Sequence, residues 1–144
     1  MDTSREFLER CIELYNAGDL DGYMELYAED AVQTMAEGIT FRGRGEIRER
    51  LARELVGFPD ATYTIGGFVQ DGDAFADEFV FEGTHTGPFP LPDGTELPPT
   101  GKRVQIRGME FVQMRDGKIA VDNLYWDNLS ALAQLGLVPQ GAIA

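Results

Sequence analysis

The stretch KRVQIRGMEFVQMRDGKIAVDNLYW, residues 102–126, decides the fold. Its period is two, which predicts a long strand from about Lys102 to Met114, with a bulge at Gly108, and a last strand from Lys118 to about Trp126. The turn between them sets the register. If it uses only Asp116-Gly117, Glu110 stands opposite Asn123; if Arg115-Asp116-Gly117 form a three-residue loop, Glu110 stands opposite Asp122. A type I turn finished by glycine fits R-D-G-K, and we take the second register. It sets Val112, Glu110 and Gly108 beside Ala120, Asp122, Leu124 and Trp126 on one face. Two facing carboxylates cannot both ionise cheaply in a low-dielectric site, so one is pushed up and the pair can act as base and acid. The competing reading leaves one or both on the solvent face of an acidic protein.

Upstream, the same period runs through Tyr63, Ile65 and Phe68 or Val69, turns at Asp71-Gly72, and returns through Phe75, Phe79 and Phe81 to Gly83-Thr84-His85. His85 is the chain's single histidine. At the end of a strand it can exchange a proton near neutrality, or it can hydrogen-bond a loop carbonyl and hold the turn GTHTG. Residues 86–99 carry Pro88, Pro90, Pro92, Pro98 and Pro99 with Gly87 and Gly94, which predicts a long rim loop of the kind that serves as a lid.

The N-terminal part reads as helical. A capping box at Thr3 and Glu6 opens a helix through Phe7, Leu8, Cys11, Ile12 and Tyr15 to about Ala17. A short second helix holds Tyr23, Met24, Leu26 and Tyr27, an extended stretch reaches Met35, and Gly38 bends a small hook through Ile39 and Phe41. A third helix spans about Gly45 to Val56, with Ile47, Leu51, Leu55 and Val56 facing the core. Its arginines, Arg42, Arg44, Arg48, Arg50 and Arg53, interleave with Glu46, Glu49 and Glu54 and read as a solvated face. Leu129 to Leu135 closes the chain as a short helix, with a frayed tail beyond Pro139. Helices followed by meander strands mean α+β, with a curved antiparallel sheet wrapped around three N-terminal helices.

At 144 residues the chain fits one domain spanning 1–144. A formal net charge of −13 would repel phosphate backbones and anionic surfaces, so neither nucleic acid nor membrane is an expected partner. One cysteine, Cys11, allows no internal disulfide, and no leader or spanning segment is visible, which together suit the cytoplasm. Cys11 itself reads as a packed side chain. There is no HxH, HxxxH or cysteine pair, and no metal is expected. Neither serine, Ser4 nor Ser130, lies in a G-x-S-x-G elbow.

With YNAGDLDGYMELYAEDAV (15–32) after the opening helix, then GTHTG (83–87), PPTGKRV (98–104), DGKI (116–119) and WDNLSALAQLG (126–136), nearly the whole chain resembles the SnoaL-like polyketide cyclase, or ester cyclase, group of the nuclear-transport-factor-like, ketosteroid isomerase-like superfamily. The resemblance implies a cone-shaped fold, a homodimer pairing through the sheet, an enclosed apolar pocket and no cofactor. The cyclases of this group close rings by intramolecular aldol chemistry. On an ungapped match through DGKI their last-strand aspartate falls at Leu124 and their histidine at Glu110, so Asp122 and Glu110 would form a displaced pair. Asp127 matches the group's WD position, where it is either a helix N-cap or catalytic.

The expected activity is cofactor-independent proton transfer, aldol cyclisation or isomerisation, on a hydrophobic carbonyl-bearing molecule. Asp122 is the base and Glu110 or His85 the acid, with Trp126, Leu124, Val112, Tyr27, Met35 and Phe79 shaping the pocket. The alternatives are a non-catalytic binding protein of the same fold, or a hydratase, dehydratase or epoxide hydrolase.

Overall fold

The computed structural model describes residues 4–90 and 93–139. The expected cap Thr3, Pro92 of the rim loop and the tail from residue 140 lie outside the described residues. Helix α1, Ser4–Asn16, buries Phe7, Leu8, Cys11 and Tyr15 along one stripe. Asp19 caps α2, Leu20–Met24, by accepting from the Gly22 amide at 2.9 Å. Tyr27, expected on that helix, instead opens strand β1, Tyr27–Met35. Its pairing with Ile119 explains the change, because a cross-strand partner overrides weak helix propensity. Gly38, at a positive φ of 88°, lets the chain fold back into β2, Thr40–Arg42.

Helix α3 spans Gly43–Gly57. The strands then follow as β3, Thr62–Asp71, and β4, Ala74–Thr84, with a small hairpin of β5, Phe89–Pro90, and β6, Glu96–Leu97, inside the rim loop. The chain continues through β7, Arg103–Arg115, and β8, Lys118–Trp126, to α4, Asn128–Gln134. The six long strands form one curved sheet in the order β2-β1-β8-β7-β4-β3. All its pairings are antiparallel except β1 with β8, which is parallel, so the α+β cone has a mixed sheet. Helices α1 and α3 lay Leu8, Cys11, Ile47 and Leu51 against its concave face, beside Phe75, Phe81, Val104, Ile106 and Val112. Burying each of the larger of these apolar side chains stabilises the fold by about 1.5–3 kcal/mol.

The last turn is the two-residue alternative rather than the three-residue loop, and the register beyond it differs from both sequence readings. Arg115 pairs with Lys118, so the turn is the two-residue Asp116-Gly117, with φ of 52° and 75°. Those angles fit a type I′ turn, whose twist matches the flanking strands better than the type I loop does. The pairing then slips by one between Gln113/Val121 and Met114/Ile119, leaving Ala120 as a bulge. Beyond it Val112 faces Asp122 and Glu110 faces Leu124. Glu110 and Asp122 therefore share a face as expected, but as diagonal neighbours. No bulge occurs at Gly108, which pairs in register with Phe79 and Trp126. Glycine is needed there because a Cβ would lie 2.5 Å from Phe79 Cζ and 2.7 Å from the Tyr125 carbonyl oxygen. The first meander turn is likewise displaced by one residue, to Gly72-Asp73, with Asp71 paired to Ala74.

The solvated arginine face is corrected in part. Arg50 and Glu54 are only 9% and 5% exposed and point inward with Ile47 and Leu51, whereas Val56, expected in the core, lies at the surface. The i, i+4 spacing puts Arg50 and Glu54 on the same stripe as the apolar residues, where they pair with each other at 3.2 Å. Arg44 donates to the Tyr27 carbonyl and Arg48 to Asp21.

Candidate active site

Period two along β4 places Asp77 between Phe75 and Phe79 on the concave face, directly opposite Glu110 of β7. Glu110 is in turn beside Asp122 of β8. Three carboxyl groups thus meet on three adjacent strands, one more than the sequence reading named. The alternation of Phe75, Phe79 and Phe81 carried the signal for Asp77, since residue 77 is in phase with all three.

Side chains from the helices and from β1 and β3 complete the polar chamber. Gln33 of β1 donates from Nε2 to Asp122 Oδ2 at 3.0 Å, and the Tyr27 hydroxyl donates to the same oxygen at 3.4 Å. Arg50 fixes Gln33 through Nε to Oε1 at 2.7 Å. Glu54 then receives Arg50 on one oxygen, and the Tyr15 and Tyr63 hydroxyls on the other at 2.6 and 2.8 Å. The network runs from Asp122 on β8 through β1 and α3 to Tyr15 on α1, and in it only Asp122 and Tyr27 were expected site residues. Asp122 Oδ1, by contrast, is buried without a partner. The enclosed volume is about 30 Å³, bounded also by Tyr23, Phe79 and Leu124. That is room for a water molecule or one small polar group.

Crowding governs the protons. Burial, then the charges of Asp122 and Asp77, push the Glu110 carboxyl well above the usual carboxylate range. Burial raises Asp77 to about 6, offset in part by the neighbouring Glu110 carboxyl. Neither oxygen of Asp77 has a hydrogen-bond partner among the described residues. Of the three carboxyl groups, Glu110 is the one whose surroundings most favour keeping a proton.

Because Asp77 titrates at about 6 in the fold against an ordinary 3.8, the folded chain binds more protons than the unfolded chain between those values, and stability falls as pH rises through that window. We expect Asp77→Asn to flatten this decline and to raise stability at pH 7 by on the order of 2–3 kcal/mol. Urea unfolding from pH 4 to 8 checks it, with exposed Asp71→Asn as the control for net charge. Equal slopes for Asp77→Asn and wild type would refute the assignment.

His85 is separate from this cluster. Fully buried, it lines a second chamber of about 300 Å³ with Phe58, Phe81, Phe89, Leu97, Val104 and Ile106, closed on one side by Ala131, Leu132 and Leu135 around α4. Glu54 and Trp126 also border this chamber, and Arg50 lies 5.8 Å over the Trp126 ring. The Arg50–Glu54 pair with Tyr63 is therefore the wall between the two chambers. The His85 ring does not donate to a loop carbonyl; its Nδ1 accepts from the Thr100 amide at 3.2 Å. Burial alone lowers its pKa, so the ring stays neutral at pH 7 and is poorly suited to serve as the acid.

Of the expected pocket residues, Leu124 and Phe79 line the polar chamber and Trp126 the apolar one. Val112 and Tyr27 pack in the main core, and Met35 packs behind Phe79 and Leu124. Asp127 caps α4, accepting from the Ser130 amide at 3.0 Å. Cys11 is buried with its thiol pushed up to about 12, chiefly by desolvation, which suits packing. Among the described residues, no group of three or more His, Cys, Asp or Glu side chains could hold a metal ion, and no helix is long and apolar enough to cross a membrane.

Comparison with known proteins places this geometry. IdmH from Streptomyces antibioticus, described as a candidate polyketide cyclase, is 31% identical, with 94% of this chain and 99% of that one covered and a TM-score of 0.78. TsrD from Streptomyces laurentii shares the fold at 21% identity and a TM-score of 0.80, covering 96% and 99% of the two chains. AclR from Streptomyces galilaeus, described as a candidate hydroxylase, shares it at 22% and 0.75, covering 90% and 82%. No curated protein matches the sequence. The SnoaL-like domain model matches residues 8–121, a span that includes β1, α3, β4 and β7 and stops one residue short of Asp122. The chain belongs to the SnoaL-like family.

Proposed function

We propose that the chain is a cofactor-independent enzyme that moves a proton on a hydrophobic, carbonyl-bearing small molecule, as in aldol cyclisation or isomerisation. The observation that carries this reading is the trio Asp77, Glu110 and Asp122 on one concave face, with an unpartnered oxygen on Asp122 and a Glu110 carboxyl whose pKa burial and both neighbours push up. Asp122 Oδ1 is the base that removes a proton next to the carbonyl, and Glu110 donates to the enolate oxygen that forms. The apolar chamber takes the hydrocarbon body, and the reacting carbonyl passes the Arg50–Glu54–Tyr63 wall to reach the carboxylates. The likeness to IdmH supports the polyketide class of substrate.

Exchange of the α-protons of 2-tetralone for deuterium in D2O tests the chemistry without the natural substrate. The protein is expected to accelerate exchange over buffer and over an unrelated acidic protein. A second reading, ligand binding without turnover, draws on Leu124, an apolar residue where the family's cyclases have their aspartate; it predicts binding of the same ketone with no acceleration.

The homodimer expected from the resemblance has a suitable surface. Val69 and Phe111 lie in one row of paired strands on the convex face, with Met109 and Tyr125 adjacent, and all four are exposed. We expect Phe111→Glu to convert a dimer into a monomer, read as a halved mass in sedimentation equilibrium; a wild-type protein that sediments as a monomer would remove the proposal.

A further inference from the structure

A histidine lining the apolar chamber has a buried ring nitrogen with nothing to bind. His85 Nδ1 accepts from the Thr100 amide at 3.2 Å and lies 3.0 Å from Thr100 Oγ1. That hydroxyl oxygen accepts from the Lys102 amide at 3.3 Å, which leaves its proton free to point at Nδ1. A ring nitrogen that accepts a backbone N–H cannot carry a proton, so in the neutral ring the proton is on Nε2. Nε2 is buried and has no partner. Phe58 is stacked near the ring at 5.2 Å and 30°, which fixes its plane. The fold thus holds an oriented N–H donor on a histidine that lines a chamber of about 300 Å³. A buried donor left unmatched is costly and needs an explanation.

The rest of the lining narrows the ligand. Glu54 is the one charged group there, and both its oxygens are occupied by Arg50, Tyr15 and Tyr63. Asn128 Oδ1 accepts from the Trp126 indole at 2.6 Å. Nothing on the wall would neutralise an anion, and no free carboxylate awaits a cation. We propose that this chamber is a binding site for a neutral, ring-sized hydrophobic molecule bearing a hydrogen-bond acceptor, a carbonyl or ether oxygen distinct from any reacting carbonyl, which His85 Nε2–H captures. His85 is then a fixed donor and takes no part in proton exchange. The inference rests on the proposed enzyme only for identifying this ligand as its substrate; binding is measured without turnover.

Because His85 is the only histidine, the imidazole resonances of the ¹⁵N-labelled protein assign themselves. In the free protein Nε2 is expected to be protonated and Nδ1 not. Saturation with 2-acetylnaphthalene should shift the Nε2–H proton and nitrogen. 2-Ethylnaphthalene, of similar shape but without an acceptor, should bind about tenfold more weakly and leave that resonance at its apolar position. His85→Phe should bring the ketone's affinity down to that of the hydrocarbon, and the wild-type comparison decides the matter even if this variant fails to fold. Asp122→Asn should bind the ketone as wild type does, so failure of the proton-transfer chemistry and failure of this site are separately visible. A protonated Nδ1, equal affinities with an unmoved Nε2, or no binding of either compound would overturn the proposal.

Discussion

Asp122→Asn is expected to slow deuterium exchange into 2-tetralone by about 10²–10⁴-fold relative to wild type, the usual worth of a positioned general base. The argument turns on one atom. Oδ2 of Asp122 is committed to Gln33 and Tyr27, while Oδ1 is buried with no partner. An asparagine keeps the shape and can still accept from Gln33, but it puts an amide where the basic oxygen was. Glu110→Gln tests the other half. Burial and two neighbouring carboxylates hold the Glu110 proton to well above the normal carboxylate range, so near neutrality it can donate to a developing enolate oxygen, and glutamine donates less well to an anion. We expect a loss in kcat with little change in KM for both variants, because neither residue belongs to the apolar chamber. Exchange that persisted at the wild-type rate in both, with the fold verified by circular dichroism, would dismiss the carboxylate mechanism.

Arg50→Met is expected to destabilise the protein by about 3–5 kcal/mol, measured as a lowered urea midpoint at unchanged m. Arg50 and Glu54 are nearly enclosed, and Arg50 also holds Gln33 at 2.7 Å. Removing the guanidinium leaves the Glu54 carboxylate in a low-dielectric wall with only the Tyr15 and Tyr63 hydroxyls. Adding Glu54→Gln to Arg50→Met should recover most of the loss, since glutamine still accepts from both tyrosines and carries no charge. A loss under 1 kcal/mol for the single variant, or no recovery in the double, would mean that the pair does not bear the wall's electrostatic load.

The two halves of the site were legible to different degrees. Alternation along β7 and β8 put Glu110 and Asp122 on one face correctly even though the assumed turn was wrong. The two-residue turn and the bulge at Ala120 offset each other in phase, and phase is all that hydrophobic alternation records. Asp77 was equally readable but masked by the phenylalanines around it. Arg50 and Glu54 could not be recognised from charge pattern, because an i, i+4 ion pair looks the same on a solvated face and on a buried one. What distinguishes them is tertiary: Gln33, Tyr15 and Tyr63 reach the pair from positions 9 to 39 residues away. Similarly, the competing roles for His85 could not be separated until Thr100, 15 residues on, was seen to occupy Nδ1.

The carboxylates stand on β4, β7 and β8, each flanked on both sides by other strands, while the sheet's edges are β2 and β3. Fraying begins at edges and termini, so strands held on both sides open late or only with the whole domain. Repulsion among Asp77, Glu110 and Asp122 therefore has no local escape: short of global unfolding, a proton is the only means of relief. A charge cluster on an edge strand would relax by peeling away, but here the strain stays in the folded state as a standing affinity for protons.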